Sequence, residues 1–268
     1  MTATRHQYAN AGWSPPTEPS DVFWQSLFVN KSGGVHHVFA PLGYNISSTS
    51  GNDTDSTHSR RDKACAAVGS SIEQLVCAKQ AHDQNIAIVT AADGNRVFDG
   101  MDGFVTSDSD VAIMAFTADC PIVMVCDTAH NALGLAHSGW KGSCLNVAAK
   151  LVAAMTDTAG ANAPDAWAVV GPCAGACCYE IKDDVAQQVE ASAVNPARVL
   201  RRESDIDGES KLYLDLPVMI AMQLEHCGIA PERIALPTQC TICDTRFFSY
   251  RRQGPNAGQA ALLARIAD

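Results

Sequence analysis

The sequence predicts an α+β (mixed α/β) fold, and three observations carry that reading. Short apolar or alternating runs bounded by Gly, Pro, Asp or Asn recur along the chain, as strands do. Three longer segments show helical spacing with start and stop signals. The 268 residues contain no internal repeat and no second long linker, so one domain is expected over residues 21–268.

The elements follow in order. Residues 1–20 are polar and proline-bearing and are expected to be a flexible tail. Val35–Phe39 reads as a strand. Asn45 to Asp62, rich in Ser, Thr, Asn and Asp, reads as a long surface loop. Ile86–Thr90, Val111–Phe116, Ile122–Cys126, Ala132–His137 and Ala166–Val170 read as further strands. Cys144–Met155 has the spacing of a helix that ends near Gly160. Asp183–Ala193 is a second helix, with two Asp in its first turn where the helix dipole favours them. Pro217–Cys227 is a third, opened by Pro and stopped at Gly228. The closing segment GQAALLARIAD favours helix on propensity, and strand if tertiary context decides.

Hydrophobic residues make up 47% and charged residues 18%, which supports a sizeable core and excludes global disorder. The formal net charge of −10 is a poor basis for binding nucleic acid, because phosphate backbones need clustered cations. A small anionic substrate needs only a few local ones. No apolar run reaches membrane-spanning length, and the first residues lack the apolar segment of a secretory signal. The eleven cysteines are therefore expected to be reduced thiols of a cytoplasmic protein, a monomer or a small homo-oligomer.

Three segments at predicted strand ends carry ligand-type residues: Lys79-Gln80-Ala81-His82, Thr117-Ala118-Asp119-Cys120-Pro121 and Ala136-His137-Ser138-Gly139-Trp140-Lys141-Gly142. His82, Cys120 and His137 could form a metal site. One thiolate and two imidazoles suit Zn²⁺ and leave a fourth position open; with a weak axial ligand they also suit copper. The same residues could instead be a Cys–His hydrolase dyad, with Cys120 as nucleophile, or a buried thiol beside hydrogen-bonding histidines. Cys240-Thr241-Ile242-Cys243 is a CxxC without a second CxxC to complete a zinc ribbon, so packed thiols are expected there. Phe247 to Arg252 sets two guanidiniums beside aromatics, a pair able to grip phosphate or carboxylate. Trp140 could stack on a planar substrate or belong to the core. Walker and dinucleotide fingerprints are both absent.

Taken together, the segments resemble the YfiH-like laccase-domain family, whose members are named polyphenol oxidases and purine nucleoside phosphorylases. Gly33-Gly34-Val35 with Leu42 to Asn45 resembles the family's opening "GGVS…SLN". Gln80 to Asp83 resembles "QVHG", Thr117 to Cys120 with Pro121 directly after it resembles "TADC.P", and His137 to Gly142 resembles "HAGWRG". Gly171-Pro172 with Cys178 to Ile181 resembles "GP.I…CYEV", and Cys240-Thr241 with Phe247 to Gly254 resembles "CT…FYSYRRDG". Lys141 stands where the family usually has Arg, Asp83 replaces a Gly, and Asn256 to Gln259 replaces the closing "TGR".

The resemblance implies one domain of central packed sheets flanked by helices, with zinc on His82, Cys120 and His137. It implies phosphorolysis of adenosine, inosine and methylthioadenosine, with adenosine deamination as a second activity. On that reading Lys141 and Arg251 are candidates to hold phosphate, and Asn45 and Gln80 to orient the nucleoside. The alternative implied by the older family name is a copper-dependent polyphenol oxidase. The chain has eight histidines and no His-x-His pair, which disfavours a multicopper cluster.

Overall fold

The structure is a computed structural model that describes residues 5, 7–17, 22–47, 54–204 and 210–268. Two sheets form its centre. The larger has seven strands in the order Ala9–Asn10, Ile234–Leu236, Trp167–Val170, Ile122–Asp127, Ala132–His137, Gly103–Thr106, Ile86–Ile88. The smaller has five: Val35–Ala40, Ala260–Ile266, Ala112–Thr117, Leu75–Lys79, Arg96–Asp99.

Side-chain alternation along the strands builds three core layers. Ile122, Met124 and Cys126 point from the larger sheet toward Ile113, Ala115, Leu262 and Ala264 of the smaller one, filling the space between the sheets. Val123 and Val125 point the other way, onto the helices Val147–Ala159 and Leu216–His226. Val38, Met114 and Leu263 leave the far face of the smaller sheet and meet Ala64 and Cys65 of the helix Thr54–Ala67. The result is a helix–sheet–sheet–helix stack, in agreement with the mixed α/β expectation.

Predicted strands reappear within one or two residues, and Ala132–His137 is unchanged. Three readings need correction. The segment expected to be a tail is pinned over its described residues: Ala9–Asn10 pairs in parallel with Ala235–Leu236, and Arg5 grips Asp215 at 2.7 and 2.9 Å. Trp13, buried, donates its indole N–H to the Val170 carbonyl at 2.9 Å. The segment expected to loop from Asn45 to Asp62 becomes helical at Thr54, and its residues 48–53 lie outside the described ones. That helix anchors itself mainly through Ala64 and Cys65 near its end, so the polar stretch before them carries little helical signal. The helix expected over Cys144–Met155 is two, Trp140–Cys144 and Val147–Ala159, divided at Asn146. Its φ of 61° is a left-handed conformation that Asn tolerates better than most residues. The closing segment, open between helix and strand, is the strand Ala260–Ile266. It lies between two neighbours and is buried along its whole length.

Candidate active site

The chain crosses between the two sheets at one edge of the stack, and these crossings bring the predicted ligands together. His82 lies between Leu75–Lys79 of the smaller sheet and Ile86–Ile88 of the larger. Cys120 lies between Ala112–Thr117 and Ile122–Asp127, and His137 ends the strand Ala132–His137. The donor atoms of His82, Cys120 and His137 lie within 4.8 Å of one another, and the two imidazoles meet edge to face at 4.7 Å.

Asp102 organises this edge. Its carboxylate accepts the backbone N–H groups of Ala81, His82 and Asp83 at 2.9–3.0 Å, which fixes a turn whose His82 has φ 59°. It also lies 2.9 Å from His137 Nδ1, leaving Nε2 of that ring to the site. Asp119 plays the matching part beside Cys120. At φ 92° it occupies a region that costs a non-glycine residue strain. Its carboxylate is held by Thr241 Oγ1 at 2.5 Å, Ser249 Oγ at 2.9 Å and the Arg251 N–H at 2.7 Å.

Charge makes the pair Cys120–His137 acidic on one side and basic on the other. Burial pushes the Cys120 thiol up, but the charge and hydrogen bonds of His137 and His82 outweigh it and bring the pKa down to about 6. Burial lowers His137, yet the Cys120 thiolate and Asp102 outweigh it and raise it to about 9.

The donor set fits a metal. A thiolate and two imidazoles, one of them backed by a carboxylate, form an open three-ligand Zn²⁺-type site. Gly139 completes the cradle: a Cβ there would lie 3.0 Å from Cys120 Sγ, 3.5 Å from His82 and 3.7 Å from His137. All three ligands line a cavity of about 720 Å³, walled also by Phe116, Tyr179, Tyr250 and Arg251.

The remaining predicted residues separate. Arg251 lines the cavity, its guanidinium donating to the Glu180 carbonyl at 2.9 Å and lying 5.3 Å from the centre of the Tyr179 ring. Its neighbour Arg252 instead holds the carbonyls of Thr241, Ile242 and Phe247. Gln80 lines the cavity too, but its amide is engaged with the backbone of Phe116 at 2.7 and 2.9 Å. Asn45 is outside the lining and accepts the N–H of Gln259, which is in it. Lys141 is also outside, exposed on the short helix with its ammonium over Trp140 at 5.6 Å. Trp140 itself packs on the helical core. Tyr179 and Tyr250 lie in quoted motif segments without an assigned role, and Asp102 lies in none. Asp102 lies 35 positions before His137 and carries no local motif.

Comparison with known proteins places the chain. The family described as multi-copper polyphenol oxidoreductase laccase matches residues 25–267. Purine nucleoside phosphorylase LACC1 of Mus musculus is 30% identical over 246 residues, covering 86% of this chain and 53% of that protein. This chain thus spans about half the length of that relative. Purine nucleoside phosphorylase Cgl2154/cg2365 of Corynebacterium glutamicum is 28% identical over 242 residues, covering 89% and 93% of the two chains. The crystal structure of the hypothetical protein YfiH of Bacillus licheniformis superposes with a TM-score of 0.84 at 24% identity, over 94% of this chain and 98% of that one, and so shares the fold. With the match running over nearly the whole chain, the protein belongs to the multi-copper polyphenol oxidoreductase laccase family, the laccase-domain family of YfiH.

Proposed function

We propose that this chain is a Zn²⁺-dependent purine nucleoside phosphorylase acting on adenosine, inosine and methylthioadenosine. One observation carries the reading: the three-ligand centre opens into a cavity that also presents an aromatic wall and Arg251. The names of the mouse and Corynebacterium relatives support it. Held by His82, Cys120 and His137, Zn²⁺ would supply a Lewis acid and a fixed positive charge.

The chain's own residues supply the rest. Asp102 keeps the His137 ring oriented and its Nδ1 proton in place. Tyr179 and Tyr250 line the cavity and give a planar purine aromatic surface to pack against. Arg251 binds phosphate through charge-assisted hydrogen bonds. Gln80, in the cavity wall, holds the Phe116 backbone with its amide, and Asn45, behind the wall, holds Gln259. Lys141, outside the lining, contributes only distant charge. Adenosine deamination, which consumes water and no phosphate, is the second activity proposed for this centre.

The test is inosine cleavage as a function of phosphate in the wild type and in Arg251→Ala. Losing a charge-assisted partner costs about 1.5–3 kcal/mol, about ten- to a hundredfold in kcat/KM for phosphorolysis. Adenosine deamination should fall less. Cleavage that needs no phosphate, or an Arg251→Ala enzyme with unchanged kcat and phosphate KM, contradicts the assignment.

A further inference from the structure

A second cluster of thiols lies outside the site just described. The N–H groups of Cys178 and Tyr179 both donate to the Gly175 carbonyl at 2.9 Å, so residues 175–179 make one tight turn. The loop that starts at Cys240 runs beside it, joined by a bridge between Cys173 and Cys240 and by the Thr241 N–H on the Cys173 carbonyl at 3.0 Å. The sulfurs of Cys177, Cys178, Cys240 and Cys243 thereby fall within 4.8 Å of one another. The tetrahedral tetrathiolate of Zn²⁺, with bonds of about 2.3 Å, sets its sulfurs about 3.8 Å apart. The sulfur separations thus exceed that value by at most about 1 Å.

Two features favour a ligand over packing. Cys177 and Cys243 are exposed, so the packed-thiol expectation for this CxxC fails at Cys243. Gly175 also forms a cradle. A Cβ there would lie 3.0 Å from Cys240 Cβ, 3.3 Å from Cys177 Sγ and 3.4 Å from Cys240 Sγ, and its N–H donates to Cys240 Sγ at 3.2 Å. A backbone N–H aimed at sulfur stabilises a thiolate.

We propose that Cys177, Cys178, Cys240 and Cys243 form a second, structural Zn²⁺ site. Four protein thiolates close the coordination shell, the mark of a structural rather than a catalytic zinc. The resulting charge of 2− faces Arg5 and Arg201, which line the same cavity of about 730 Å³ as Cys177 and Cys240 and are themselves paired with Asp215 and Glu203. The site clamps together two loops that build the active-site wall. One carries Tyr179. The other carries Thr241, which holds Asp119, and the carbonyls of Thr241 and Ile242 that anchor Arg252 next to Arg251.

The test is metal stoichiometry on zinc-loaded, reduced protein dialysed free of loose metal. The wild type is expected to hold two Zn²⁺ per chain. Cys177→Ser/Cys243→Ser, which alters only exposed side chains, should hold one and lose thermal stability. Cys120→Ala should also hold one, because it empties the other site. Co²⁺ replacing zinc in Cys120→Ala should give the visible bands of tetrahedral tetrathiolate coordination. A wild type holding one zinc that disappears entirely in Cys120→Ala would overturn the proposal. So would four thiols that react with a thiol reagent equally fast with and without zinc. The first result would leave the catalytic centre standing, because the zinc lost in Cys120→Ala is the one assigned to that centre, and the second concerns only the four thiols of this cluster.

Discussion

Asp102 connects more of the active site than any ligand does. It holds three consecutive N–H groups of the His82 turn and one nitrogen of His137. In Asp102→Asn one acceptor oxygen becomes a donor that faces backbone N–H groups, and the His137 ring loses its charged anchor. Outer partners of this kind are worth about 10–100-fold in metal affinity. Titration with a competing chelator should therefore show Asp102→Asn binding zinc about that much more weakly while retaining most of its secondary structure. Equal affinity would mean that the carboxylate serves only the turn. The three clustered side chains His82, Cys120 and His137 were legible in the sequence because each sits in a short motif at a strand end. Asp102 was not, because its role arises from strand pairing across 35 positions, which no local pattern encodes.

At the scale of elements, the strand Val35–Ala40 carries a testable titration. His37 is buried, and its Nε2 accepts the Ser26 N–H at 2.8 Å, which requires the neutral ring. Burial lowers its pKa to about 4. The ordinary value of about 6.5 applies to the unfolded chain, so between these values the unfolded state binds more protons and stability rises with pH. Acidification from about pH 6.5 to about 4 should thus cost on the order of 3 kcal/mol from this residue. Urea unfolding at both ends of that window should show a smaller acid loss in His37→Gln, whose amide oxygen can still accept from Ser26. An identical loss in both proteins would contradict the assignment.

The elements also show where sequence reading succeeds. Ile122–Asp127 is buried on both faces, so its continuous apolar run announces a strand. Ala260–Ile266 is equally buried, but Ala, Leu and Arg are good helix formers, and only its two flanking strands decide the outcome. Thr54–Ala67 was lost for the opposite reason: most of its length faces away from the core. The Cys240–Cys243 pair could not be completed from spacing, because its partners are the adjacent Cys177 and Cys178 rather than a second CxxC.

At the scale of the whole molecule, two sheets packed face to face create an edge where the crossings through His82 and Cys120 meet the end of the strand Ala132–His137, and the proposed centre lies there. Helices cover the outer faces and leave a cavity at that edge. The central claim is that one metal at His82, Cys120 and His137 serves phosphate-dependent cleavage of a nucleoside. The most direct measurement is metal content and inosine phosphorolysis on the same preparations of wild type and Cys120→Ala. A domain of this size does not depend on a single ligand to fold, so the variant should remain folded. It should lose one zinc per chain and nearly all phosphate-dependent cleavage together, while the wild type shows both. A folded Cys120→Ala protein that still cleaves inosine at the wild-type rate would contradict the account, as would a wild type that turns over no nucleoside but oxidises a phenol with stoichiometric copper.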